Sequence, residues 1–193
     1  MKSLAEYEQL AALAHGHICA GQILGLRMAM RGMELLGIED PAGKDRKRLV
    51  TWVEIDRCAT DAITVVTGCR LGKRALKFRD FGKVAATFCD LRDDKAVRLV
   101  ALESSKARAR EIYPEIEDKN RQQMSAYRDM PPEELFSYQW VRVAMGPQEF
   151  PGYKGVRRAC HQCGEGINFE RFEERDGRIL CRACAGECYY QPL

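Results

Sequence analysis

Two Cys-x-x-Cys pairs, Cys160-His-Gln-Cys163 and Cys181-Arg-Ala-Cys184, stand seventeen residues apart near the end of the chain. Four thiolates at this spacing predict a tetrahedral structural zinc site. A segment of roughly 30 residues buries too little apolar surface to fold alone, so the metal must supply much of its folding free energy. Gly164 lets the first knuckle turn its backbone N–H groups toward sulfur. Residues 167–174 and 178–180 read as a short hairpin around Asp176-Gly177. Cys181 and Cys184 then open a final short helix, the arrangement of a treble-clef finger. His161 lies inside the knuckle but is not needed as a ligand, because four cysteines fill the site. A redox dithiol or an iron–sulfur cluster fits this spacing less well. Cys188 is left over.

The second constraint is His15-Gly16-His17-Ile18-Cys19, which holds two of the chain's three histidines. It leads into an apolar-periodic helix over residues 22–36, closed by Gly37. A cysteine at the start of a helix sits in a positive field that favours thiolate. In extended backbone His15, His17 and Cys19 project to one side, and imidazole with thiolate suits zinc and other late first-row metals. Ordinary loop histidines and a small buried cysteine are the alternative.

Around these two features the chain reads as α+β, a mixed or antiparallel sheet packed with helices. Ser3 and Glu6 form a capping box for a helix over 3–14. Gly21 and Gly25 in the next helix suggest the close approach of another backbone, each at a cost of about 1 kcal/mol relative to alanine. Residues 49–55 form a strand. Asp56 caps a helix over 57–67 that ends at Gly68, so Cys58 and Cys69 bracket it, with Asp61 one turn beyond Cys58. Residues 75–80, 83–91 and 96–102 read as three successive strands of an antiparallel meander, with Cys89 a packing residue in the middle one. Helices follow over 103–110 and 113–128, with Pro114 in the first turn of the latter. A short helix at 131–134 and a strand over 138–145 complete the core. Gly146, Pro147, Pro151, Gly152 and Gly155 mark a linker, dividing a core domain, 1–150, from the finger, 151–193.

With 46% hydrophobic and 31% charged residues, the composition is that of a soluble globular protein. No basic n-region precedes an apolar stretch at the start, and no apolar run is long enough to span a membrane. Nine cysteines, an odd count with four in metal-type pairs, favour metal binding in a reducing, cytoplasmic setting over a disulfide framework. A net charge of +3 gives no strong pull toward nucleic acid. The finger's basic residues, such as Arg157, Arg158 and Arg171, are nearly offset by Glu165, Glu170 and their acidic neighbours, which ranks a transcription role last.

The segment HGHICAGQILGLRMA and the block DRCATDAITVVTGCRLGKRALKFRDFGKVAATF resemble the FmdE family of formylmethanofuran dehydrogenase subunits. The final CHQCGEGINFERFEERDGRILCRACAG resembles the treble-clef finger many of its members carry, and the four-cysteine finger of the DksA/TraR regulators. The resemblance implies an α+β core, usually dimeric, with an auxiliary zinc finger. It implies a candidate active site at His15, His17, Cys19, Cys58 and Cys69. It also implies an association with a molybdenum or tungsten enzyme of one-carbon metabolism.

Residues and resemblance together suggest a second metal in the core, held by His17 and Cys19 with Cys58 as a third ligand, and His15 or Cys69 completing the set. An open coordination position is what a catalytic metal needs. Asp61 would orient a ligand histidine or act as a base. Lys73 and Arg74 offer an anion-binding turn, or simply a solvated basic one. A metal-free version makes Cys19 and Cys58 a nucleophilic and resolving thiol pair, but leaves the histidines without a purpose. Three functions follow: an enzyme or enzyme subunit acting on an unknown small molecule, a non-catalytic protein that docks on an oxidoreductase or delivers metal to it, and a finger-mediated regulator.

Overall fold

In the computed structural model, which describes residues 1–191, the chain divides into two units, Met1–Val143 and Ala144–Leu193. The first is α+β. Helix α1 (Leu4–His15) begins at Ser3, whose hydroxyl accepts from the Glu6 amide while the Glu6 carboxylate reaches back to the Ser3 N–H. Helix α2 (Ala20–Leu36) ends at Gly37 in the left-handed conformation, φ 64°. Strand β1 (Leu49–Val53) leads into α3 (Cys58–Thr67). Strands β2 (Leu76–Phe78), β3 (Ala85–Asp90) and β4 (Lys95–Ala101) follow. Helices α4 (Ser104–Ile112), α5 (Lys119–Asp129) and α6 (Pro132–Leu135) then lead to β5 (Phe136–Val141).

The five strands form one sheet in the order β2-β1-β3-β4-β5. Here the structure corrects the meander. β2 does not pair with β3; it lies parallel to β1, with Trp52 opposite Lys77, while β1 runs antiparallel to β3. The reason is α3: a helical crossover returns the chain to the same end of the sheet and so delivers a parallel neighbour. β3 and β4 are antiparallel as expected, and β5, which starts two residues earlier than the strand read from the sequence, adds antiparallel to β4.

Three smaller differences concern helix starts. Arg57, not Asp56, occupies the cap position of α3, with no side-chain hydrogen bond. Pro114 lies outside α5, which starts five residues later where the Asp118 carboxylate accepts from the Arg121 amide. Cys19 is itself the N-cap of α2.

Helix α2 is the centre of the apolar core. It packs on β3 and β4 and against α3 and α5, burying Ile23, Leu26, Met28 and Met33 completely. Its glycines are spatial requirements. A Cβ on Gly25 would lie 2.4 Å from the Ala59 carbonyl oxygen, so α2 and α3 cross backbone to backbone there. A Cβ on Gly32 would lie 2.4 Å from the Phe88 ring of β3. On another side, the Arg27 guanidinium donates to the carbonyls of Tyr127, Arg128 and Met130 at the end of α5, tying that helix to α2. Both chain segments that carry core-site residues therefore start from helices with fixed positions.

The second unit contains β6 (Arg158–Ala159) paired with β7 (Gly166–Ile167), and β8 (Phe172–Arg175) paired with β9 (Arg178–Cys181). The latter hairpin turns on Asp176 and Gly177, both at positive φ (50° and 70°), as a two-residue type I′ loop requires. The final helix of the treble clef is reduced to one wide turn, Ala183–Glu187, broken at Gly186 with φ 111°. Its apolar core is small: Cys160, Ile167 and Leu180 are its buried residues.

Candidate metal centres

In the finger, the sulfurs of Cys160, Cys163, Cys181 and Cys184 all lie within 4.8 Å of one another. Cys163 and Cys181 are 3.9 Å apart, sulfur to sulfur. Tetrahedral zinc with bonds of about 2.3 Å sets its ligands roughly 3.8 Å apart, so the donor set fits this ion. The backbone prepares the sulfurs for negative charge. The Cys181 N–H donates to Cys160 Sγ at 3.3 Å and the Cys184 N–H to Cys181 Sγ at 3.4 Å. N–H groups of Cys163 and Cys181 hold the Cys160 thiol down at about 6, whereas hydrogen bonding to Cys181 pushes Cys184 up to about 12. A bound metal would displace whatever protons these thiols hold. Gly164, at φ 77°, closes the knuckle with its N–H on the Cys160 carbonyl. His161 accepts from the Ile179 N–H through Nδ1 and stands outside the ligand set.

In the core, the loop between α1 and α2 and the first turn of α3 bring together most of the expected residues. His15 ends α1, and its Nδ1 lies 2.8 Å from Asp61 Oδ2. A carboxylate only accepts, so His15 Nδ1 carries a proton toward Asp61, and Nε2 is the ring nitrogen open to a metal, the carboxylate–histidine arrangement that orients a metal ligand. The rings of His15 and His17 are 4.8 Å apart between centroids. Cys19 and Cys58 face each other across the α2–α3 contact; a Cβ on Gly21 would lie 3.4 Å from Cys58 Cβ and 3.8 Å from Cys19 Sγ. Burial, and then the neighbouring Cys19, push the Cys58 thiol up, so the helix N-terminus does not win at Cys58. The first amide of α2, at Ala20, is taken by Asn120 Oδ1 at 2.9 Å.

Cys69 is not brought to this cluster. It sits past the far end of α3, about 15 Å along a ten-residue helix from Cys58. It is 2% exposed, accepting from Thr51 Oγ1 and donating to the Leu49 carbonyl. Burial raises its pKa, and that of Cys89 to about 12, as for inert packing thiols. Among the described residues, the finger cysteines are the one group of three or more His, Cys, Asp or Glu side chains gathered within 4.8 Å. Gln22 was not anticipated. It is fully buried one turn into α2 from Cys19, and among the described residues neither its amide nitrogen nor its oxygen has a hydrogen-bond partner. A lone amide in an apolar run is the sequence signal that would have singled it out.

Against known families, residues 14–137 match the family described as FmdE, Molybdenum formylmethanofuran dehydrogenase operon. The match spans well over half of the chain, and the protein belongs to the FmdE family. Residues 153–190 match the prokaryotic dksA/traR C4-type zinc finger. A relative from Archaeoglobus fulgidus, described as a probable S-adenosyl-L-methionine-binding protein, is 32% identical over 91% of this chain. The chain spans about half of that relative, 51% of its length. A crystal structure of a tungsten formylmethanofuran dehydrogenase FmdE-like protein from Syntrophus aciditrophicus superposes with a TM-score of 0.67 at 21% identity, covering 98% of this chain and 96% of that one. It establishes the fold. Among the described residues no helix is long and apolar enough to cross a membrane.

Proposed function

We propose that this FmdE-family protein carries two metals of different purpose: a structural zinc in the finger, and a functional ion in the core that serves an oxidoreductase of one-carbon metabolism. The observation that carries the reading is a pair of contacts at the starts of α2 and α3: His15 meets Asp61 and His17, and Cys19 meets Cys58. His15 Nε2, His17, Cys19 and Cys58 would hold the ion, which when bound would supply Lewis-acid polarisation of a substrate carbonyl or of water. Asp61 orients His15, and this use of its carboxylate replaces a role as general base. Burial and the neighbouring Cys19 favour the protonated Cys58 thiol, which must lose that proton for ligation. Cys69 has no part in the set.

Action as a subunit of, or metal donor to, a larger dehydrogenase is supported by the operon in the family's description. Self-association into a dimer is part of the same reading. Strand β5 lies at the edge of the sheet and leaves Tyr138 and Trp140 about half exposed, which supports a contact on that side. Elemental analysis per chain, with Cys19→Ala beside the parent, tests the proposal. Two metals in the parent and one in the variant are expected. One zinc in both would overturn the core site and leave Cys19 and Cys58 as a thiol pair.

A further inference from the structure

We propose that the groove between α1 and α3 binds an organic molecule bearing an anionic group, a carboxylate or a phosphate, about 10 Å from the end that meets the core site. The groove is open to solvent on one side and has a volume of about 540 Å³, within the range of roughly 300–1,000 Å³ of small-molecule pockets. Its walls are chemically ordered along α3. Asp61, the partner of His15, lines one end. Leu10 and Ala14 of α1 face Val65 of α3 across an apolar middle. Arg70 and Lys73 line the other end. From Asp61 to Gly68 the helix advances about 10 Å, which sets the length of the ligand.

The two cations are the informative feature. Arg48, Arg98 and Arg128 are each paired with a carboxylate. Arg70 and Lys73 have no such ion pair among the described residues. A helix C-terminus attracts a cation within its last turn, but α3 is already closed by Gly68, whose N–H meets the Thr64 carbonyl. Arg70 and Lys73 lie beyond it and line the cavity. Both residues are exposed at the groove's rim, and an arginine fork beside a lysine ammonium is suited to a carboxylate or phosphate. The assignment of Asp61's end as the reacting end rests on the core-site reading; the binding itself does not.

The test is a titration of the full, zinc-loaded, ¹⁵N-labelled chain at constant ionic strength with three probes: glutarate, its neutral diamide, and glycerol phosphate. Saturable amide shifts centred on Thr64, Val65, Gly68 and Arg70 are expected with an anion and not with the diamide, and the tighter anion identifies the group. Arg70→Ala with Lys73→Ala should weaken binding about tenfold or more, while the charge-conserving exchange Arg70→Lys with Lys73→Arg retains most of it. No saturable shift with either anion, shifts centred elsewhere, or equal binding by the alanine double variant would overturn the groove. Core metal is measured on the same samples. Anion binding without core metal retires the core-metal reading and leaves the groove standing; core metal without anion binding does the reverse.

Discussion

The finger's four cysteines and the proposed core donor set are built in opposite ways. In the finger the four sulfurs already converge to within 4.8 Å, yet the apolar core is little more than Cys160, Ile167 and Leu180. In the larger unit an extensive apolar core surrounds α2, yet the histidines and cysteines of the site meet only in pairs. The difference bears on what a metal would do in each place. Where burial is insufficient, the ion holds the fold together and its ligands must be complete. Where burial suffices, the fold stands without an ion, and the donor set is free to stay open to a substrate.

The largest effect expected from this contrast is on the finger. Chelation, or Cys181→Ser, should remove most of a zinc contribution on the order of 10 kcal/mol. Residues 144–191 should then become protease-sensitive while the helical circular dichroism of the larger unit persists. Simultaneous loss of both would erase the distinction. The next effect tests the larger unit's independence of metal. Gly25→Ala should destabilise it by about 1–3 kcal/mol, since the new methyl meets the Ala59 backbone; the urea midpoint should fall equally with and without added metal.

A third experiment sharpens the comparison at the ligands. Asp61→Asn leaves His15 in place but weakens its orientation, and should lower core metal affinity about 10–100-fold with no change in the finger's zinc. Competition with a chromogenic chelator measures both. The smallest effect concerns acid. The Glu170 carboxylate accepts from the Tyr153 hydroxyl and, at 3.2 Å, from the Val156 N–H, which hold it below the usual glutamate range. Its contribution is complete above about pH 4.3 and fades as pH falls through the lowered folded value. Glu170→Gln should therefore differ from the parent near neutrality and converge with it in acid, followed by finger unfolding at saturating zinc.

The finger was legible because its determinants are local: two pairs, one glycine knuckle and an Asp-Gly turn lie within 25 residues of each other. Helix ends marked by Gly37 and Gly68 were legible for the same reason. What the residues did not disclose is set by distant partners. The parallel seat of β2 depends on where α3 lands the chain. Cys58 and Cys69 look like a bracket in sequence, but a helix between them keeps their thiols far apart. The bond from His15 to Asp61 spans 46 positions; the residues alone suggest a histidine for Asp61 to orient, and only the fold says that it is His15.

The crossing at Gly25 and Ala59 has a consequence for how such a protein can diversify. Position 25 is closed to any other side chain unless the two helices separate, and separating them would pull Cys19 from Cys58. On the groove reading, the proposed ligand preference can instead vary along its walls, at positions such as 10, 14, 65, 70 and 73, without opening that crossing.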